Sequence, residues 1–291
     1  MKTALSLLCA LAIAVTVPHA AARDLEPLTF GSDASCVSSL EYPEPILLLP
    51  GTWDGAQAMA PLGQDLRNAG ACVFALTYGR DESLLVSKLV DAHAAYTKGA
   101  VGDMRASAVE VADAIEEIAL HTDAGRAAGG KVDLVGHSQA GALIRMALAG
   151  GAADYVDQVI TLGGTNHGIL PLASQIAEPN HHRASRAVGE QLLSTAAMQQ
   201  LGDSDVVAEL NAIPDTQAGI RYTVVTSQGD LVSVPYRRGF LAAVDGAEVD
   251  NVVIQERCGV QPWYSHDDLR DGQPSRNLVR NVLAGRAAFC E

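Results

Sequence analysis

Ser138 is the residue around which this sequence reads as chemistry. Val132-Asp133-Leu134-Val135-Gly136-His137-Ser138-Gln139-Ala140-Gly141 carries an apolar strand into a sharp turn and on into a helix, with the serine at the turn. Such a turn strains the serine backbone, so the residues two positions before and after must be small, as Gly136 and Ala140 are. A serine can also do no more than cap a helix there; the strand before it and the helix after it favour a nucleophile.

A serine hydroxyl attacks a carbonyl only when a base removes its proton, and the base needs a carboxylate to orient it. With a nucleophile on such a turn, the chain order is serine, acid, histidine. His266 is the sole histidine after residue 182, so it takes the role of base; His93, His121, His137, His167, His181 and His182 read as structural or surface groups. For the acid, the apolar run Tyr222–Thr226 ends in Ser227-Gln228-Gly229-Asp230, which puts a carboxylate just past a strand's carboxyl end. Asp230 is therefore the expected partner, with Asp245, Asp250 and Glu256 as alternates and a plain Gly-Asp turn as the non-catalytic alternative.

The charge that develops on the attacked carbonyl oxygen needs fixed N–H donors. Leu49-Pro50-Gly51-Thr52-Trp53, after an early strand, offers the Thr52 backbone N–H and its hydroxyl, and the backbone N–H of Gln139 follows the nucleophile directly. Trp53 and His137 neighbour these donors and are candidates to line the substrate pocket; Trp263 stands near His266, and core packing is the alternative for both tryptophans. The histidine spacing forms no metal motif, and this chemistry calls for no cofactor.

These residues need a scaffold, and the periodicity describes one. Short apolar runs at Ile46–Leu49, Val73–Leu76, Val132–Val135, Val156–Leu162, Tyr222–Thr226 and Asn251–Ile254 read as buried strands. Helical spacing lies between them at Ala56–Asn68, Ser107–Leu120 and Ala142–Leu148. The pattern predicts an α/β domain over 23–291, with a mostly parallel central sheet and helices on both faces. Pro171–Gly219 breaks the alternation, with helical runs at Glu190–Leu201 and Val206–Asn211, and reads as an inserted cap or lid.

Residues 1–22 read as a secretory signal peptide: Lys2, an apolar run from Ala4 to Val17 that is short for a membrane span, and Ala20-Ala21-Ala22 before Arg23. Removing them leaves Cys36, Cys72, Cys258 and Cys290, an even set that points to two disulfides in an exported chain. Three pairings are possible; Cys36 with Cys72 and Cys258 with Cys290 is favoured, because each pair then clips one end of the chain to the core. The formal net charge of −14, without a basic cluster, repels nucleic acid.

Taken together, Pro45–Thr52, Cys72–Gly79, Val132–Gln139 and Gly163-Gly-Thr-Asn-His-Gly168 resemble the secreted class 2 bacterial lipases, and Pro45–Gly51 is also similar to fungal lipase B. The resemblance covers roughly residues 36 to 285 and implies the α/β-hydrolase fold. It implies a Ser138–His266–Asp230 triad, an oxyanion hole at Thr52 and Gln139, and hydrolysis of acylglycerols or simpler esters without a cofactor. It also supports the Cys36–Cys72 link. Three departures stand out: Ala140 for the usual glycine, Leu49-Pro50-Gly51 where many relatives carry His-Gly, and Asp267-Asp268 after His266 instead of small apolar residues. The expected partners are an ester or lipid substrate and a transient lipid interface, with no obligate protein partner. Polyester depolymerase, amidase and acyltransferase use the same machinery, and a non-catalytic binding protein on a hydrolase scaffold is the reading from a different class.

Overall fold

The computed structural model describes residues 33–81, 99–170, 189–191 and 193–291. The expected signal peptide at 1–22 lies outside the described residues, as do 171–188 and 192 of the expected insertion.

Four consecutive aliphatic residues form β1 (Ile46–Leu49), and all four are fully buried. Strand side chains alternate between faces, so Ile46 and Leu48 enter one core while Leu47 and Leu49 enter another. A strand that is apolar on both sides must be covered on both sides, and this one lies inside a six-stranded sheet. The other strands are β2 (Val73–Ala75), β3 (Val132–His137), β4 (Val156–Leu162), β5 (Arg221–Thr226) and β6 (Glu248–Val253), in the order β2-β1-β3-β4-β5-β6 with every pairing parallel. All six expected strands form. β6 starts earlier than its apolar run because an edge strand can leave Glu248–Asn251 at least partly exposed.

The helices among the described residues are α1 (Ala60–Asn68), α2 (Met104–His121), α3 (Asp123–Ala127), α4 (Gln139–Ala149), α5 (Thr195–Gln199), α6 (Asp205–Ala212), α7 (Ile254–Cys258), α8 (His266–Asp271) and α9 (Gln273–Leu283). Val111, Ile115 and Ile118 of α2 and Leu143, Ile144 and Leu148 of α4 pack on the Leu47 face. Leu62 and Leu66 of α1 and Leu278, Val279 and Leu283 of α9 close the Leu48 face. Burying each such side chain stabilises the fold by about 1.5–3 kcal/mol, and cutting Leu47 to alanine costs about 2–5 kcal/mol. Asp103 caps α2 by accepting from the backbone N–H of Arg105 and Ala106.

Both favoured disulfides form, Cys36–Cys72 with Cα atoms 5.8 Å apart and Cys258–Cys290 with 5.5 Å. The expected single helix over Glu190–Leu201 is interrupted: Ser194 has φ of 130° and its hydroxyl accepts from the Ala197 N–H at 3.1 Å, so α5 begins only at Thr195. Gln199, at the end of α5, ties this region to the core, its side-chain oxygen accepting from Met104 N–H at 2.7 Å.

Candidate active site

β3 delivers Ser138 to the carboxyl edge of the sheet with φ 56° and ψ −121°, a conformation that L-residues occupy only when their surroundings impose it. Hydrogen bonds impose it here: Ser138 N–H donates to Leu162 C=O at 2.9 Å, and Thr165 N–H donates to Ser138 C=O at 3.1 Å. A side chain at Gly136 would come within 3.0 Å of the Ala140 Cβ. The methyl group at 140 is therefore tolerated because Gly136 leaves room for it, which accounts for the departure from a second glycine. The helix α4 begins at Gln139, whose N–H has no partner within the helix and points to the helix's amino-terminal side.

His266 opens α8, and its Nδ1 lies 2.7 Å from Asp230 Oδ2. Ser265 caps that helix in a reciprocal capping box with Asp268, while Asp267 and Asp268 put acidic side chains on its first turn. The two acids that depart from the family pattern thus hold the helix that carries the histidine. Asp230, buried on the turn after β5, accepts at Oδ1 from Val232 N–H at 2.7 Å and Ser233 N–H at 2.9 Å. Its carboxylate is thereby aimed with Oδ2 toward the imidazole. The alternates sit elsewhere: Asp250 pairs with Arg257 at 3.1 Å, Glu256 accepts from Gln228, and Asp245 lies in the turn before β6.

Two further residues support the histidine. A Cβ on Gly163 (φ 58°) would lie 3.0 Å from His266 Nδ1 and 3.1 Å from Asp230 Oδ2, so only glycine leaves the pair its space. His137 is buried, and its Nε2 lies 3.1 Å from the His266 backbone C=O with the two rings 4.6 Å apart. Burial, with His266 and Arg270 nearby, holds the His137 imidazole well below its ordinary pKa. A neutral ring has one N–H, and the contact to the carbonyl places it on Nε2.

Ser138, His266, His137, Thr52, Trp53 and Val232 share one cavity of about 370 Å³. Trp53 reaches it with φ of 67° and donates its indole N–H to Leu193 C=O at 2.5 Å. Trp263 is not in the wall; it is exposed, and its backbone covers Gly229. The Thr52 hydroxyl donates to Gln139 Oε1 at 2.9 Å and accepts from Gln200 Nε2 at 2.9 Å, while Gln200 Oε1 accepts from Thr165 at 2.9 Å. With that proton committed to Gln139, the Thr52 hydroxyl has none left to donate. Gln200 gave no signal in the sequence because a buried amide is recognised by its partners, and Thr52 and Thr165 come from two segments distant in sequence.

No protein-family model matches the chain, and no curated protein matches it. Among solved structures it is similar to Aspergillus fumigatus lipase B, with TM-score 0.64 and 18% identity over 91% of this chain and 56% of that one. It is similar to Bacillus licheniformis lipase BlEst2 in its propeptide form, with TM-score 0.57 and 15% identity over 89% of this chain and 54% of that one. A bromoperoxidase from Bacillus anthracis aligns with TM-score 0.52 and 11% identity over 83% of this chain and 92% of that one. The chain thus spans about half the length of the two lipases. These likenesses show the α/β-hydrolase fold.

Proposed function

We propose that this α/β-hydrolase chain is a secreted serine ester hydrolase, a lipase or carboxylesterase, acting through Ser138, His266 and Asp230. The observation that carries the reading is the His266–Asp230 contact of 2.7 Å beside a strained Ser138 that faces the same cavity. His266 takes the Ser138 proton, the hydroxyl attacks the ester carbonyl, and the negative oxygen is held by the Thr52 and Gln139 backbone N–H groups. His266 then protonates the leaving alcohol, and water activated by the same imidazole releases the acid. Asp230 keeps the proton of the resting imidazole on Nδ1, so that Nε2 is the basic nitrogen.

An apolar acyl group suits the mouth of this cavity. Trp53, Leu170, Leu193, Leu231 and Val232 are all exposed on segments that line or touch it. That favours a transient contact with a lipid interface. The two disulfides fit an oxidising compartment, and among the described residues no helix is long and apolar enough to cross a membrane.

The test is a fluorophosphonate probe together with p-nitrophenyl esters. The probe should add its mass to the peptide containing Ser138, and Ser138→Ala should lose both the label and about 10⁵–10⁶-fold of turnover. Hydrolysis surviving in Ser138→Ala would overturn the proposal. Faster turnover of emulsified long-chain ester than of dissolved butyrate would assign the lipase; the reverse order would assign the esterase.

A further inference from the structure

At the amino-terminal ends of β1, β3 and β4, the opposite side of the sheet from Ser138, three carboxyl groups converge. Glu44 precedes β1, while Asp133 and Asp157 are the second residues of β3 and β4. One oxygen from each lies within 4.8 Å of the other two.

Asp133 is the centre of the group and is only 2% exposed. Its Oδ2 accepts from Gln158 Nε2 at 2.7 Å, but Oδ1 is buried without any hydrogen-bond partner. A buried carboxylate oxygen that has lost water and gained nothing is costly, and native structures rarely leave one so. The neighbours only partly answer it: Arg221 on β5 binds Asp157, and the Lys131 ammonium donates to the Asp154 and Val156 carbonyls. Burial, reinforced by Glu44 and Asp157, pushes the Asp133 carboxyl well above the ordinary carboxylate range, and Glu44 is also pushed up, mainly by burial. Those are the surroundings of a group that lacks positive charge.

We propose that Glu44, Asp133 and Asp157 bind a hard divalent cation, with Ca²⁺ the best fit. Oxygens within 4.8 Å of one another need only a small inward movement to touch one Ca²⁺ at about 2.3–2.6 Å, whereas the octahedron of Mg²⁺ at about 2.0–2.1 Å would need a larger one. Carboxylates are the ligands such an ion prefers, and water can complete its six to eight positions. The ion would fasten the starts of three strands that are distant in sequence. It would leave turnover alone, because Ser138 lies five positions along the chain from Asp133, roughly 16 Å.

The experiment is thermal unfolding of the full protein after chelator treatment, with CaCl₂, MgCl₂ or NaCl added at matched ionic strength. Ca²⁺ should raise the midpoint saturably by about 5 °C or more, and MgCl₂ should raise it less. Asp133→Asn, which keeps the Gln158 contact, should lose the Ca²⁺-specific shift, as should the half-buried Glu44→Gln; both should hydrolyse p-nitrophenyl esters at the unmodified rate. Calorimetric titration of the unmodified protein should give one Ca²⁺ per chain, a reading that stands even if Asp133→Asn does not fold. A midpoint that responds to CaCl₂ no more than to NaCl overturns the proposal, as does an undiminished Ca²⁺ shift in Asp133→Asn or Glu44→Gln. Stabilisation by acid alone would mean that the carboxyls share a proton instead, and would also overturn it.

Discussion

Asp230 and Asp133 are both almost completely buried, at opposite ends of one sheet, and their surroundings differ in kind. At the carboxyl end, both oxygens of Asp230 are engaged, Oδ1 by two backbone N–H groups and Oδ2 by the His266 imidazole. At the amino end, Asp133 has a single protein partner and two acidic neighbours. The contrast teaches that depth alone does not define a carboxylate's character; the donors around it do. It also divides the molecule. Changes at the carboxyl edge should alter turnover with little effect on stability, and changes at the amino edge should do the opposite.

The largest effect that can break this division is Asp230→Asn. The shape is kept, but the imidazole loses the acceptor that selects its tautomer, so kcat should fall about 10⁴-fold while the unfolding midpoint stays within a few degrees. A collapse of stability instead would make Asp230 a structural group. At the amino end, Cys36 is bonded to Cys72, which immediately precedes β2, closing a loop of sequence separation 36. Replacing both with serine should cost about 3–4 kcal/mol, read by calorimetry as a midpoint lower by roughly 10 °C, with kcat unchanged at 25 °C.

Smaller effects sharpen the comparison. Gln200→Ala removes the donor that steadies Thr52, and kcat should drop about tenfold with KM little changed, the size of one lost buried hydrogen bond. A pure KM effect would place Gln200 in substrate binding. Last, in chelator, Asp133→Asn should melt roughly 2–4 °C above the unmodified protein near neutral pH. The raised pKa of Asp133 means that its stabilising contribution is present below the unfolded value of 3.8 and is lost as pH rises through the folded value. The advantage of asparagine should therefore grow as pH rises from about 4, and a pH-independent difference would contradict the argument.

Much of this was legible in the residues themselves. Apolar runs such as Ile46–Leu49 are buried on both faces wherever they occur, so the parallel sheet and its helical cover follow from hydrophobic patterning. Ser138 was legible because an elbow is local: strand, small residues and helix adjoin in sequence. His266 was legible by elimination, and Asp230 by its place just after a strand. The interruption at Ser194 was not legible, because helical spacing continues through it while the backbone turns away.

The sequence by itself determined the alternation of strands and helices, the strand-to-helix turn at Ser138 and the cysteines available for bonding, since each rests on neighbours a few positions apart. Tertiary structure decided which acid meets His266, that Gly163 must stay bare beside them, that Gln200 braces Thr52, and that Glu44, Asp133 and Asp157 converge. Hydrogen bonds and charge act over a few ångströms of space, and parallel strands bring together residues that the chain keeps dozens of positions apart.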